Sequence, residues 1–174
     1  RYMGTHTSMH VNGYYKSIRD FIFLENQGFF FNFAPDPPRF QQTCANLRNC
    51  LPVYGYQAHH ANFWGYEAEI TAHPRLGLPV NPRITLFSDY VRGWFRDSGF
   101  GNVPRLPPLR FGGEIGLQWT QWRAGLRYTH ALKQNKPGNL DTETPEYHRL
   151  DLDLSYDWNM SEHKKILFFA RLSN

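Results

Sequence analysis

The chain has no long greasy stretch. No apolar run approaches the roughly 18 residues of a membrane-crossing helix, so a helical membrane protein is excluded. Cysteine is scarce, with two residues in 174, and that rules out a disulfide-dense scaffold. No charge of one sign dominates: the formal net charge is +4, with Lys and Arg scattered along the chain. A nucleic-acid partner would want a clustered basic face, so none is expected. Also missing are a nucleophile–base–acid arrangement, a phosphate-binding glycine loop and a paired catalytic motif. An enzyme is therefore not expected. The chain starts at Arg1 with neither a methionine nor a signal peptide, and reads as a mature or internal piece of about one domain.

What is present is alternation. Leu109–Trp119 sets Leu109, Phe111, Ile115, Leu117 and Trp119 against Arg110, Glu114 and Gln118. Trp122–Lys133 sets Trp122, Leu126, Tyr128, His130 and Leu132 against Arg123, Arg127, Thr129 and Lys133. His148–Trp158 sets Leu150, Leu152, Leu154, Tyr156 and Trp158 against Arg149, Asp151, Asp153, Ser155 and Asp157. A period of two sustained this long marks a strand with one apolar and one wet face. Soluble strands run about 5–6 residues, and membrane-spanning ones about 9–11. Aromatics, 17% of the chain, gather at segment ends, as Trp119, Trp122, Tyr156 and Trp158 do. That is where amphipathic rings meet lipid headgroups. The mean hydropathy is negative, but a hydropathy scan misses barrels because their two faces average out. The expected fold is all-β, an antiparallel transmembrane β-barrel. The rival is a soluble antiparallel sandwich, which would fold without detergent and bury the Leu150/Leu152/Leu154 face.

In order, an alternation from Met9 breaks near residues 17–20 and restarts at Phe21–Leu24, which predicts a bulge or an extension beyond the membrane. Phe29–Phe31 and Phe33 form an aromatic cluster able to cap a strand. Residues 34–52, with Pro35, Pro37, Pro38 and Pro52, read as a long loop. A second strand spans about Tyr54–Ala72, and the turn His73–Pro82 leads to a third, Arg83–Trp94. A Gly/Pro-rich loop, 95–108, precedes the three alternating segments, which are separated by Thr120-Gln121 and by loop 134–147. A turn, Asn159–Lys165, precedes a last strand, Ile166–Ser173. Seven strands result, with links alternating long and short. Bacterial single-chain barrels have even strand counts, so the chain is expected to be part of a larger barrel.

Cys44 and Cys50 lie close together in the first loop. An oxidising compartment favours a local disulfide, with a small direct gain because the closed loop is short. The alternative is a Cys-plus-His zinc site using His59 and His60.

Several runs carry a resemblance. They are Tyr66-Glu67-Ala68-Glu69, Asp89-Tyr90-Val91-Arg92-Gly93, the stretch from Val103 to Gly112, Lys133-Gln134-Asn135-Lys136, and the stretch from Glu143 to Leu152. With the ending Phe168–Asn174, they resemble, in order, the C-terminal part of a TonB-dependent outer-membrane receptor over most of residues 60–174. Within that family the chain is most similar to the zinc-uptake receptors. Asp141-Thr142-Glu143-Thr144-Pro145 followed by His148 resembles their Glu-Thr-x-Thr-Pro pattern, with Asp141 in place of its first Glu. The resemblance implies a barrel of about 22 strands around a plug, energised by the TonB complex in the outer membrane of a Gram-negative bacterium. The bilayer and lipopolysaccharide would then be partners. Plug, TonB box and closing strand are not seen in this sequence, so by the resemblance this chain alone should neither bind TonB nor transport.

For zinc as transported ligand, the candidate ligands are His59, His60, His10 and His6, with Glu67, Asp89 and Glu114 as carboxylates toward the lumen. Adjacent strand residues face opposite ways, so only one of His59 and His60 enters the lumen; counting from Glu67, it is His59. The plainer reading is a pair of ordinary loop histidines. His6 and His10 lie about 13 Å apart on a strand and could serve only separate sites. His130 falls on the apolar face as an interfacial residue, and His73 and His163 read as structural. Asp151, Asp153 and Asp157 form an acidic row expected to pair with Arg127 or Arg149. Haem, held by a loop histidine, or a ferric siderophore is the alternative cargo.

Overall fold

Strands that are greasy on one side and polar on the other gain most by pairing in register with neighbours of the same kind. The computed structural model describes residues 2–4, 6–34, 37–44, 47–77, 79–97, 99–138, 141–162 and 164–174. Within them the strands are β1 (Tyr2–Met3), β2 (Thr7–Asn32), β3 (Arg39–Gln41), β4 (Cys50–Ala72), β5 (Asn81–Phe95), β6 (Arg110–Trp119), β7 (Trp122–Ala131), β8 (Tyr147–Ser161) and β9 (Lys164–Ser173). All belong to one antiparallel sheet in the order β1-β2-β4-β5-β6-β7-β8-β9, with β3 folded back onto β2. Among the described residues the only helical element is one 3-10 turn, Leu47–Asn49, and no helix could cross a membrane.

Register keeps like with like. Asp89 faces Arg110, Glu114 faces Arg127, and Arg127 faces Asp151 on the polar side. Ile115 faces Leu126, Leu126 faces Leu152, and Leu152 faces Leu172 on the apolar side. Nothing among the described residues covers that apolar face. Leu150, Leu152 and Leu154 are 47%, 47% and 43% exposed, which contradicts the sandwich, since that fold would bury them under a second sheet. An uncovered apolar face of this size fits a lipid solvent. Aromatics bound it: Trp122 packs on Tyr156 at 4.6 Å and Trp158 on Phe168 at 6.3 Å near the short turn. At the other end Trp64 meets Tyr90 at 5.2 Å and Tyr15 meets Trp94 at 6.4 Å.

The first two long strands exceed expectation. β2 has 26 residues and β4 has 23, while β5 ends where Phe95 meets Ala61. Residues Phe21–Asn32 and Cys50–His59 therefore continue as a two-stranded arm beyond the sheet. The expected loop 34–52 is correspondingly shorter, with Cys50–Pro52 already in β4. Pro52 is tolerated because β4 is an edge strand in the arm, its other side open. The turn expected at Asn159–Lys165 also shrinks, since β8 runs to Ser161 and β9 starts at Lys164. Pro35 and His163 lie outside the described residues.

The break near residues 17–20 is a β-bulge. Ile18 pairs with Ala61 and Phe21 with His59, so two residues of β2 oppose His60 alone. That extra residue flips the alternation. Before it the even residues of β2 (His10, Asn12, Tyr14, Lys16) share the polar face, and after it Phe21 and Phe23 do. These rings join the small core of Ala61, Phe95 and Val103 (0%, 6% and 2% exposed), with Phe63, Phe100 and Leu106 around it. This core sits on the polar side of the sheet, at the end opposite the short Thr120-Gln121 turn.

Candidate functional site

The polar face is an ion-pair ladder. Arg110 donates to Asp89 from Nε and Nη2 at 2.9 and 2.7 Å. Glu114 accepts from Arg83 and, at 3.3 Å, from Arg127. Arg149 donates to Asp151 at 2.9 Å and Arg123 to Asp157 at 2.9 Å. Of the acidic row, only Asp151 takes Arg149 as expected; Asp157 takes Arg123 instead, and Arg127 turns to Glu114 and lays its guanidinium 4.2 Å over the Phe87 ring. Gly112 makes room: a Cβ there would stand 2.8 Å from Phe87 Cζ. A cleft crosses this face, lined by Phe87, Asp89, Glu114, Arg127, Asp151 and Arg171 among others.

Above the ladder, the 96–109 loop folds over the core. Val103 N–H donates to Gly93 O at 3.0 Å, and Arg96 N–H to His60 O at 2.8 Å. Its neighbour, 132–146, is tied to it: Gln134 Nε2 donates to Leu106 O at 2.7 Å, and Arg105 N–H to Asp141 Oδ2 at 2.9 Å. The two loops form one joined cap at the end of the sheet that carries the arm.

His59 sits beneath this cap. Its ring lies 4.0 Å from Phe100, 5.6 Å from Phe23 and 6.1 Å from Phe95. Its Nδ1 is 3.0 Å from Asp97 Oδ2. That hydrogen bond, against an opposing effect of burial and helped by the His60 backbone and the nearby imidazoles, holds the Asp97 carboxyl below its ordinary range. A carboxylate on Nδ1 orients a histidine so that Nε2 carries the lone pair, the arrangement behind most metal-ligating histidines. His60 turns the other way, with Nδ1 against the Arg19 carbonyl in the bulge.

The remaining expected ligands do not gather. His10 pairs with Glu69 and Glu67 with Asp89 lower on the polar face, while Asp89 and Glu114 are occupied by arginines. His6 precedes β2, its carbonyl accepting from His73 N–H at 2.8 Å. Among the described residues no three His, Cys, Asp or Glu side chains stand together as a metal site. Cys44 and Cys50 are joined as a disulfide with Cα atoms 6.2 Å apart, which leaves no thiolate for the zinc alternative. On the apolar face, a second histidine pair that the sequence did not reveal stands at the same end as the cap. His130 and His148 are direct partners across β7 and β8, with Nδ1 atoms 3.0 Å apart. Only the register of the two strands could have brought them together.

No curated protein matches the chain. Compared with protein families, the chain matches the TonB dependent receptor-like, beta-barrel family over residues 1–174. Proteins of this family are outer-membrane transporters rather than enzymes. The long antiparallel strands, the uncovered apolar band and the charged opposite face agree with that match over its full length: the chain belongs to the TonB dependent receptor-like β-barrel family.

Proposed function

We propose that this chain forms part of the wall and extracellular mouth of a TonB-dependent importer for a scarce metal, with zinc as cargo. In this reading the short Thr120-Gln121 turn faces the periplasm and the arm and joined cap face outward. Strands beyond β1 and β9 complete the barrel, because an open sheet edge in lipid leaves backbone groups unpaired. A plug, carried elsewhere in the receptor, couples it to TonB.

The observation that carries the cargo reading is Asp97 on Nδ1 of His59. The pair offers a pre-oriented Nε2 at the mouth, on the lumenal side, where an incoming ion would first meet the wall. Two residues do not complete a zinc shell, so the other ligands would come from the plug or other strands. The phenylalanine box around His59 favours a second reading, in which the same Nε2 is an axial ligand of haem and the rings pack on the porphyrin.

The test is ligand titration of the full receptor in detergent, with and without His59→Ala. Saturable zinc binding weakened at least tenfold by the substitution supports the zinc reading. A Soret shift with haem, lost in the same variant while zinc has no effect, supports haem instead. Equal binding of both ligands by parent and variant removes His59 from the site.

A further inference from the structure

In the arm, β4 has a neighbour on one side only. β2 pairs with it as far as Cys50, while β5 ends at Phe95 opposite Ala61. The strands that complete the barrel lie past β1 and β9. They cannot cover the bare side, because both barrel neighbours of β4 are β2 and β5 themselves.

Register identifies the groups on that edge. Arg96 N–H donates to the His60 carbonyl at 2.8 Å, so His60 turns its backbone toward the β5 side. In an antiparallel ladder, backbone groups point alternately to one neighbour and the other. Both register shifts in this region insert their extra residues into β2, so the alternation along β4 is unbroken. Ala58, Tyr56 and Tyr54 therefore direct N–H and C=O at the bare side, and Pro52 directs its C=O there. Pro52 is an independent check, since its missing N–H falls where no ladder needs one. Among the described residues nothing bonds to the three N–H and three C=O groups of Tyr54, Tyr56 and Ala58. Tyr54 and Tyr56 are 45% and 79% exposed.

The cap stands on the same side of the arm. A cleft between the two is walled by Phe23, Tyr54, Tyr56 and Pro104, and Glu25 and Asp141 bring two carboxylates to it against the one guanidinium of Arg105. A row that offers one N–H and one C=O at every second residue is matched by another extended backbone. The side chains of such a strand are specified by the two faces it joins. Residues opposite Tyr54, Tyr56 and Ala58 meet the outer, apolar face, and those between share the inner face with Glu25, whose partner in β4 is Gly55. We propose that the open β4 edge at residues 54–58 takes an extended peptide segment of a protein ligand as an added antiparallel strand at the mouth of the receptor. Its residues alternate, apolar opposite Tyr54, Tyr56 and Ala58 and basic between them. Main-chain hydrogen bonds supply affinity and the alternation supplies selectivity. The proposal rests on strand order and register, not on the identity of the cargo.

The probe is a short synthetic peptide in which tyrosine alternates with lysine, added to the detergent-solubilised full receptor. Hydrogen exchange reads the Tyr54, Tyr56 and Ala58 amides. They should exchange fast in the receptor alone and at least tenfold more slowly with saturating peptide. In the added strand the tyrosine amides face β4 and the lysine amides face away. N-methylation of the tyrosine amides should therefore abolish binding, and N-methylation of the lysine amides should leave it within about twofold. Ala58→Pro removes one edge N–H that the β2 ladder does not use, and should weaken binding about tenfold. Ala58→Val keeps that N–H and should bind as the parent does. Heat-modifiable gel migration checks that each variant is folded. Amides at 54, 56 and 58 that are already protected in the receptor alone would mean that another of its segments covers the edge, and would overturn the proposal. Absence of protection by the peptide overturns it too, and so does equal binding of the two methylated peptides.

Discussion

Leu126 and Leu152 stand directly opposite each other across β7 and β8, yet they remain 42% and 47% exposed. In water, two facing leucines midway along ten-residue and longer strands would be a core. Here they are the middle of a band that ends in Trp122, Tyr156 and Trp158 below and in Tyr128, His130 and His148 above. The solvent this face is built for is hydrocarbon.

Leu152→Arg should therefore cost about 2–4 kcal/mol, the cost of a cation near the bilayer midplane. Asn12→Arg, on the polar face opposite Glu67, should stay within about 0.5 kcal/mol. Urea midpoints of the receptor refolded into lipid vesicles measure both. Equal effects would argue that the two faces see the same solvent.

Gly112 is required by a close approach. A Cβ at this position would stand 2.0 Å from the Tyr128 carbonyl oxygen, as well as pressing on Phe87, whereas one at Gly13 would meet nothing nearer than 4.0 Å. Gly112→Ala should destabilise by about 1–3 kcal/mol, the range for overpacking, and Gly13→Ala should be close to neutral. Thermal loss of the heat-modifiable gel form compares them. A neutral Gly112→Ala would mean that β6 and β7 can part locally without cost.

Much of this fold was legible because lipid imposes a two-faced environment, and a period of two records it. Arg110–Trp119, Trp122–Ala131 and the body of β8 follow the alternation within a residue or three of its ends. The bulge was legible as a break in that pattern. The arm was not: beyond Phe21 there is no bilayer to enforce alternation. Glu25, Asn26, Gly28 and Pro52 therefore look like loop residues while lying in strands, and the irregularity between Asn26 and Phe30 absorbs Gly28 at φ 77°. Side-chain partnerships across strands depend on register, which a link of uncertain length hides. Arg127 was expected to pair with the acidic row; it stands opposite Asp151, but Glu114 stands on its other side and takes the ion pair. The His130–His148 pairing was hidden for the same reason, because each residue alone looks interfacial.

The disulfide should matter locally. It closes a short loop at the tip of the arm, where β4 begins, and chain-entropy reasoning gives about 2 kcal/mol for a loop of this size. Cys44→Ser should leave the barrel's urea midpoint unchanged, because the bridge lies at the tip of the arm, where β2 pairs only with β3 and the start of β4. It should speed proteolysis between β2 and β4 severalfold. A matching drop in barrel stability would show instead that the arm and sheet unfold as one unit.

The Asp97–His59 contact should make the cap acid-sensitive, and the sign follows from the direction of the shift. His59 lowers the Asp97 carboxyl below its ordinary value, so the folded cap favours the ionised form more than the unfolded chain does. Such a group contributes stability above the usual carboxylate range and loses it as pH falls through the depressed value. Hydrogen exchange at the Val103 amide, which donates to Gly93 O, reports whether the 96–109 loop stays down. After correction for the intrinsic exchange rate, its protection should hold from neutral pH to about 5 and fall below about 4. Asp97→Asn should start from weaker protection and show a shallower fall, because the group that titrates has been removed. Other carboxylates in the cap, Asp141 against Arg105 N–H and Glu143 at 2.5 Å from Lys133, are present in both proteins, so the difference between the two curves isolates Asp97. Parallel curves would place the acid sensitivity in the tie between the two loops rather than beneath them, and His59 would then lose its claim to a carboxylate-fixed Nε2 at the mouth.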